Sequence, residues 1–266
     1  IKSIFKSFNT YQNSISVSRK INRLNLLFNF EKIKSDGYRD NNSYNNNRFF
    51  TSINYEINDY FSLEFINFFN TADAFIPSSL SLENFQNNPS SAAFTWGNVQ
   101  GGEDYNRSLS GITFNLKRNK YKSITTFFHK TFDNDEKRPF NYLIEDSDSF
   151  GFRHIGQLSI TPFDLSYGFE YSNENYLFST WDEYRTANER IISQQTQDRK
   201  NYNFFMQIDK TFKNSFLTFG IGSNKINYDW IDNINSNSLS YSTKTIISPR
   251  ISYNINLNNN SIFANI

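Results

Sequence analysis

The chain contains no cysteine, which removes disulfide frameworks and thiolate metal sites at once. Histidine is scarce as well, with only His129 and His154 in 266 residues. No H-E-x-x-H, G-x-S-x-G, Walker or Rossmann pattern occurs, so no catalytic residue, metal ligand or cofactor is assigned and the chain is not read as an enzyme. Charge of one sign is also missing: 27 Lys plus Arg stand against 26 Asp plus Glu, a net charge of +1, with no long run of either. A nucleic-acid partner would need a basic patch or stripe. No segment reaches the roughly 18 consecutive apolar residues of a transmembrane helix. The opening "IKSIFKSFNT" has neither the apolar region nor the cleavage pattern of a signal peptide.

Aromatic residues are abundant instead. Phe at 29 and Tyr at 16 lift the aromatic fraction to 18%, while mean hydropathy is −0.64. Much apolar surface therefore coexists with much Asn, Ser and charge, which suits a chain whose two faces meet different solvents. Length alone admits one all-β domain or two ordinary ones.

The apolar residues follow a period of two. In "FDLSYGFEY", Phe163, Leu165, Tyr167, Phe169 and Tyr171 take one parity and Asp164, Ser166, Gly168 and Glu170 the other. Successive side chains of a strand point to opposite faces, so this is one apolar and one polar face. Tyr202, Phe204, Met206 and Ile208 oppose Asn201, Asn203, Gln207 and Asp209 in the same way; so do Leu24, Leu26, Phe28 and Phe30 against Asn25, Asn29 and Glu31. Near the C-terminus Ile247, Ile251, Tyr253 and Ile255 oppose Ser248, Arg250, Ser252 and Asn254.

Connections alternate in length. Tight ones fall near residues 8–10, 20–23, 57–59, 118–120, 161–162, 213–214 and 256–260, and long ones near 34–47, 71–102, 133–149, 173–199 and 224–243. This predicts about thirteen antiparallel strands with short turns at one end and long loops at the other, the pattern of an outer-membrane barrel. A soluble β-sandwich also alternates, and a carbohydrate-binding sandwich is the rival fold. Nothing in a sandwich, however, makes its loops short at one end and long at the other. Arg19, Lys32 and Lys210 fall on apolar parities but near strand ends, where a charge facing lipid costs little. His154, mid-strand beside Phe152 and Leu158, is the awkward residue and suggests a bulge or a strand rising past the lipid.

Two acidic clusters, "DNDE" from Asp133 to Glu136 and "EDSD" from Glu145 to Asp148, lack the spacing of an EF-hand and are read as solvated loop charge. His129 shares a parity with Ser123 and Thr125 and is expected to face the lumen. In "SLENFQNNP", Ser81 is a candidate N-cap with Pro89 beyond the end, predicting a short helix inside the longest loop.

Four segments, in order, carry a family resemblance: "SFNTYQNSISVSRKINRLNLLFNFEKIKSDGYRDN", "IPSSLSLENFQNNPSSAAFTWGNVQGGEDYNR", "RPFNYLIEDSDSFGFR" and "ISPRISYNINLNNNSIFA". Together they resemble TonB-dependent outer-membrane receptors, particularly the iron-complex (siderophore) type, over essentially the whole chain. "SDGYRDN", the "IPSSL…AAFTW…GEDYNR" stretch and "RPFNYL" are the most specific parts. The resemblance implies an outer-membrane location in a Gram-negative bacterium and a barrel of about 22 strands around an N-terminal plug. It further implies capture of an iron complex from outside, and TonB acting on the plug. The chain departs from that pattern in having no plug, TonB box or terminal strands, and alternation still runs at "NSIFANI". Residues 1–266 are therefore expected to be one partial barrel domain, an internal stretch of a longer chain. Its partners would be outer-membrane lipid, the plug, TonB and the iron complex. Trp96, Tyr105 and Arg107, with Arg138 and Trp181 behind them, are the candidate ligand-binding loop residues, because aromatics offer area and guanidinium a fork for anions. Arg153, Glu170, Gln207, Asp209 and Arg250 are the candidate lumen-facing residues. A passive porin and an outer-membrane hydrolase are the rivals within the membrane.

Overall fold

The computed structural model describes residues 1–183, 189–257 and 260–266. Its strands are β1 (Lys2–Lys6), β2 (Thr10–Ile21), β3 (Leu24–Ser35), β4 (Tyr44–Glu56), β5 (Phe61–Phe75), β6 (Gly102–Arg118), β7 (Tyr121–Lys137), β8 (Tyr142–Ile160), β9 (Phe163–Trp181), β10 (Ile191–Thr211), β11 (Ser215–Asp232), β12 (Asn237–Ser242), β13 (Ile246–Leu257) and β14 (Asn260–Asn265). Two short helices, α1 (Leu82–Asn87) and α2 (Phe94–Val99), lie between β5 and β6. All the strands belong to one 14-stranded sheet in which each pairs antiparallel with its sequence neighbour, except that β13 follows β11 and β12 forms a side branch on β11. Short connections leave hairpin pairing as the natural outcome. The tight turns include Asn22 and Asn119 at positive φ (53° and 44°), the left-handed conformation that Asn tolerates. Of the turn expected at 256–260, residues 258–259 lie outside the described residues.

No second sheet packs on the first among the described residues, which excludes the sandwich. The only buried hydrophobic residues among them are Ala72, Tyr142 and Leu143. The apolar face is instead open, and rings run across it from strand to strand: Phe61 to Phe114 (6.2 Å between centroids), Phe114 to Phe127 (6.3 Å), Phe127 to Phe152 (5.1 Å) and Phe152 to Phe169 (6.2 Å). Cross-strand aromatic pairs of this kind contribute roughly 0.2–1 kcal/mol each. A face so apolar and so uncovered is stable only against a non-aqueous solvent.

Three of the five long connections, 133–149, 173–199 and 224–243, are largely strand, whereas 36–43 and 76–101 remain loop apart from the two short helices. β6 and β7 each run 17 residues, β8 and β9 each 19, β10 21 and β11 18, against the ~9–11 a strand needs to cross a bilayer. What remains between β7 and β8 is residues 138–141, and between β9 and β10 residues 182–190, of which 184–188 lie outside the described residues. The physical reason is that the ladder of backbone hydrogen bonds continues after the apolar pattern stops. Above the ring band, Asp104, Asp133, Asp146 and Asp148 take the parity that Phe114, Phe127 and Phe152 hold below. Both acidic clusters are thus on facing strands, with Asp133 opposite Asp146, and not on loops.

His129 also differs from expectation. It stands opposite Ser110 and Phe150, on the face of Phe127 and Phe152, and pairs with Asp148 at 2.7 Å. Both parities of β7 carry apolar residues, so only the pairing with β6 and β8 fixes which way His129 points. His154 needs no bulge: its Nδ1 lies 2.8 Å from Thr125 Oγ1 and its ring 5.8 Å from that of Tyr167, on the apolar face.

Candidate functional site

Above the ring band two loops are locked together. In "SDGYRDN" the chain turns at Gly37, whose φ of +76° and closeness to the Asn42 backbone leave no room for a Cβ. Its amide donates to Ser35 Oγ at 3.1 Å, and Asn9 Nδ2 reaches Asp36 Oδ2 at 2.6 Å. The turn aims Arg39 at the β5–β6 loop. Its guanidinium donates to three carbonyls, Ser78 O (2.6 Å), Ser91 O (2.9 Å) and Pro77 O (3.3 Å). Asn41 Nδ2 donates to Ile76 O (2.8 Å) and Gly101 O (2.9 Å), and Asp40 N to Ser90 O (2.7 Å).

These bonds satisfy backbone groups that a long loop would otherwise leave to water. Within the loop, α1 is capped by Ser81, whose Oγ accepts from Asn84 N at 3.2 Å. α2 starts after Ala93, which has no side-chain acceptor to offer, and ends on Gln100 in the left-handed region. Trp96, half-buried on α2, packs its ring against Gly101, where any Cβ would collide with it. The apolar residues at the tip stay exposed: Phe94 at 85% and Leu82 at 73%.

The polar face of the strand extensions forms a second group. Tyr105 and Arg107 lie there with Phe132, opposite Asn134 and Phe132 of β7. The Arg107 guanidinium sits 5.4 Å from the Phe132 ring and 5.8 Å from that of Tyr105, whose OH accepts from Asn70 at 3.3 Å. Four strands on, Arg199 lies 4.8 Å over Tyr176 and 5.9 Å from Tyr228 and bonds Glu174 at 3.3 Å. Ser147 donates to Glu174 (3.0 Å) and Asn134 to Glu145 (2.9 Å), which also accepts from Tyr176 OH. Burial, then Glu145 beside it, push the Tyr176 phenol well above its ordinary value, so it stays a donor. Glu103 is held above the usual carboxylate range by burial first and then by Glu136 and Glu145.

The other sequence candidates fall apart from these groups. Arg138, in the β7–β8 turn, is paired with Glu136. Trp181 ends β9 and donates to Ser179 Oγ at 3.1 Å. Arg153 pairs with Glu170 across β8 and β9 on the polar face at the level of the ring band. Gln207 donates to Asp209 (2.9 Å), which also accepts from Thr218 (2.6 Å), near the short-turn end; Arg250 lies opposite Gly220 on the same face. Sequence reasoning did not single out Arg39, Asn41, Phe132, Tyr176 or Arg199. Arg39 and Asn41 stand inside "SDGYRDN" without a role of their own there, and Arg199 and Tyr176 lie in a segment that reads as loop, where parity carries no meaning. Among the described residues no His, Asp and Glu cluster has the geometry of a metal site.

No family model and no curated protein matches the chain, but solved structures do. The unliganded ferric citrate transporter FecA superposes with a TM-score of 0.84 at 11% identity, over 97% of this chain and 41% of that one. The alcaligin outer-membrane receptor FauA from Bordetella pertussis does so at 0.78 and 8%, over 99% and 42%. The copper transporter OprC gives 0.76 and 11%, over 97% and 42%. The chain spans about two fifths of the length of these structures. The likeness is one of fold: the sheet is a partial wall of the antiparallel β-barrel that these transporters and receptors share.

Proposed function

We propose that the chain is part of the barrel of an outer-membrane receptor that takes up an iron complex in a TonB-dependent manner. The observation that carries this is a sheet with two solvents. One face presents a band of rings suited to lipid, and the other carries Arg107, Tyr105, Arg199 and Tyr176 on extensions that rise beyond that band. The barrel of FecA, which transports ferric citrate, has the same fold. In this reading the polar face lines the lumen, so Arg153, Glu170, Gln207, Asp209 and Arg250 meet water or a plug carried elsewhere in the complete protein. The locked loops with Trp96 stand outside the cell and, with Tyr105 and Arg107, receive the ligand; the chain itself performs no chemistry.

The test is growth of a strain lacking the complete protein on defined iron sources, with uptake measured before and after collapse of the proton gradient. Loss of growth on at least one iron complex and energy-dependent uptake are expected. Uptake that persists without TonB would instead indicate a passive porin. OprC shares the fold and transports copper, so labelled copper belongs in the same assay, and accumulation of copper alone refutes the iron reading.

A further inference from the structure

Among the described residues four basic side chains stand on the polar face at or above the ring band's upper edge, Arg48, Arg107, Lys130 and Arg199, and a fifth, Arg138, follows in the β7–β8 turn. Three are neutralised. Arg48 meets Glu31 at 3.0 Å, Arg199 meets Glu174 at 3.3 Å, and Arg138 meets Glu136. Arg107 and Lys130 have no carboxylate partner among the described residues, and both are exposed. They are diagonal neighbours on one face, since Arg107 pairs with Phe132 and Lys130 with Leu109; such positions lie ~7–8 Å apart.

Among the described residues this pair meets rings and no carboxylate, whereas each of the others meets a carboxylate, Arg199 in addition to its rings. Arg107 lies between Tyr105 and Phe132, and Lys130 sits 5.5 Å over Phe128. A ring attracts a cation through its quadrupole but cancels none of its charge. Of the acidic groups on this face, Glu174 is engaged with Arg199 and Ser147, Glu145 with Asn134 and Tyr176, and Glu136 with Arg138, while Glu103 stands four residues (~13 Å) along β6 from Arg107, opposite Glu136. Two adjacent cations with flat apolar sides and free charge are a seat for a ligand with at least two anionic oxygens and a planar body.

We propose that Arg107 and Lys130 form the anion-recognising part of the ligand site, and that the ligand is a polyanionic iron complex bearing carboxylates or catecholates. This rests on the uptake reading above and narrows it. Removing one charge-assisted hydrogen bond from such a site weakens binding by about ten- to a hundredfold.

The experiment is titration of the purified complete protein with two anionic probes, ferric citrate and a ferric tricatecholate, and with an uncharged ferric trihydroxamate. Wild type should bind an anionic probe, and Arg107→Gln and Lys130→Gln should each weaken that binding by about tenfold or more. Arg107→Lys should retain most of it, and thermal unfolding should be unchanged in all three variants. Unchanged binding in the Gln variants overturns the proposal, as does wild type that binds only the uncharged complex; in either case iron uptake would stand while the anion assignment falls. Failure to bind or take up any iron complex would remove both.

Discussion

Removing Arg39 should release the β5–β6 loop while leaving the sheet intact. Its guanidinium makes two close bonds, to Ser78 O at 2.6 Å and Ser91 O at 2.9 Å, and one long bond to Pro77 O at 3.3 Å. Hydrogen bonds to a charged group contribute roughly 1.5–3 kcal/mol each, and water entering after Arg39→Ala recovers part of that. A net loss of about 2–4 kcal/mol in the free energy of loop opening follows, or about 30- to 700-fold faster amide exchange. Hydrogen exchange on the complete protein in detergent reads this at Ala93, bonded to Pro77 O (2.8 Å), Ile76, bonded to Gly101 O (2.9 Å), and Asp40, bonded to Ser90 O (2.7 Å). Amides of β8 to β10 should exchange as in wild type. Arg39→Lys should restore less than half the protection, because an ammonium is a point charge and cannot bridge three carbonyls. Unchanged exchange in the loop, or equal acceleration in the strands, would refute the reasoning.

Phe127→Lys should cost about 2–4 kcal/mol for a cation at mid-membrane as well as the packing against Phe114 and Phe152. His129→Lys, two residues nearer the upper edge on the same face and beside Asp148, should cost less than Phe127→Lys; equal losses in denaturant refolding into vesicles would show that the ring band is not the lipid boundary. Ser81→Ala removes the acceptor for Asn84 N, a loss of about 1 kcal/mol that should appear as faster exchange in α1 alone. Burial and neighbouring carboxylates hold the Glu103 pKa above its ordinary 4.5, so the folded state binds its proton more tightly than the unfolded state does. Its contribution to stability is therefore present near and below pH 4.5 and disappears as pH rises through the raised value. Glu103→Gln should flatten that slope and raise the unfolding midpoint at neutral pH; a slope identical to wild type would contradict it.

The lower half of the sheet was legible because lipid and water enforce a strict period of two there. Phe163 to Tyr171 and Tyr202 to Ile208 alternate as expected, and the short turns fall between them. The upper half was not legible as strand. Once Asp104, Asp133 and Asp146 replace Phe on the outer parity, both faces are polar and the pattern that identifies a strand disappears, although the backbone ladder does not. His129 was misplaced for the related reason that β7 carries rings on both parities, Phe127 on one and Phe128 and Phe132 on the other. α1 announced itself through Ser81, whereas α2, with Ala93 before it, carries no capping signal. Of the candidate ligand residues, Arg107 and Tyr105 are singled out by chemistry and lie adjacent in the structure. The role of Arg39 was not, because its partners are carbonyls distant in sequence that no side-chain pattern reveals.

That the extensions are strand changes how recognition can be divided. Arg107 and Lys130 are carried by a ladder continuous with the membrane-spanning part, so their spacing is set by strand geometry, as rigid elements set a site more closely than loops do. Arg39 and Asn41, by contrast, bind only carbonyls between Ile76 and Gly101 and share no partner with the wall cations among the described residues. Loosening the loops and neutralising the wall should therefore act independently. In the Arg39→Ala, Arg107→Gln double variant the two losses in affinity for an anionic iron complex should add to within about 0.5 kcal/mol. A coupling well beyond that in the double-mutant cycle would mean that the loops position the wall cations, and that cover and charge are one device.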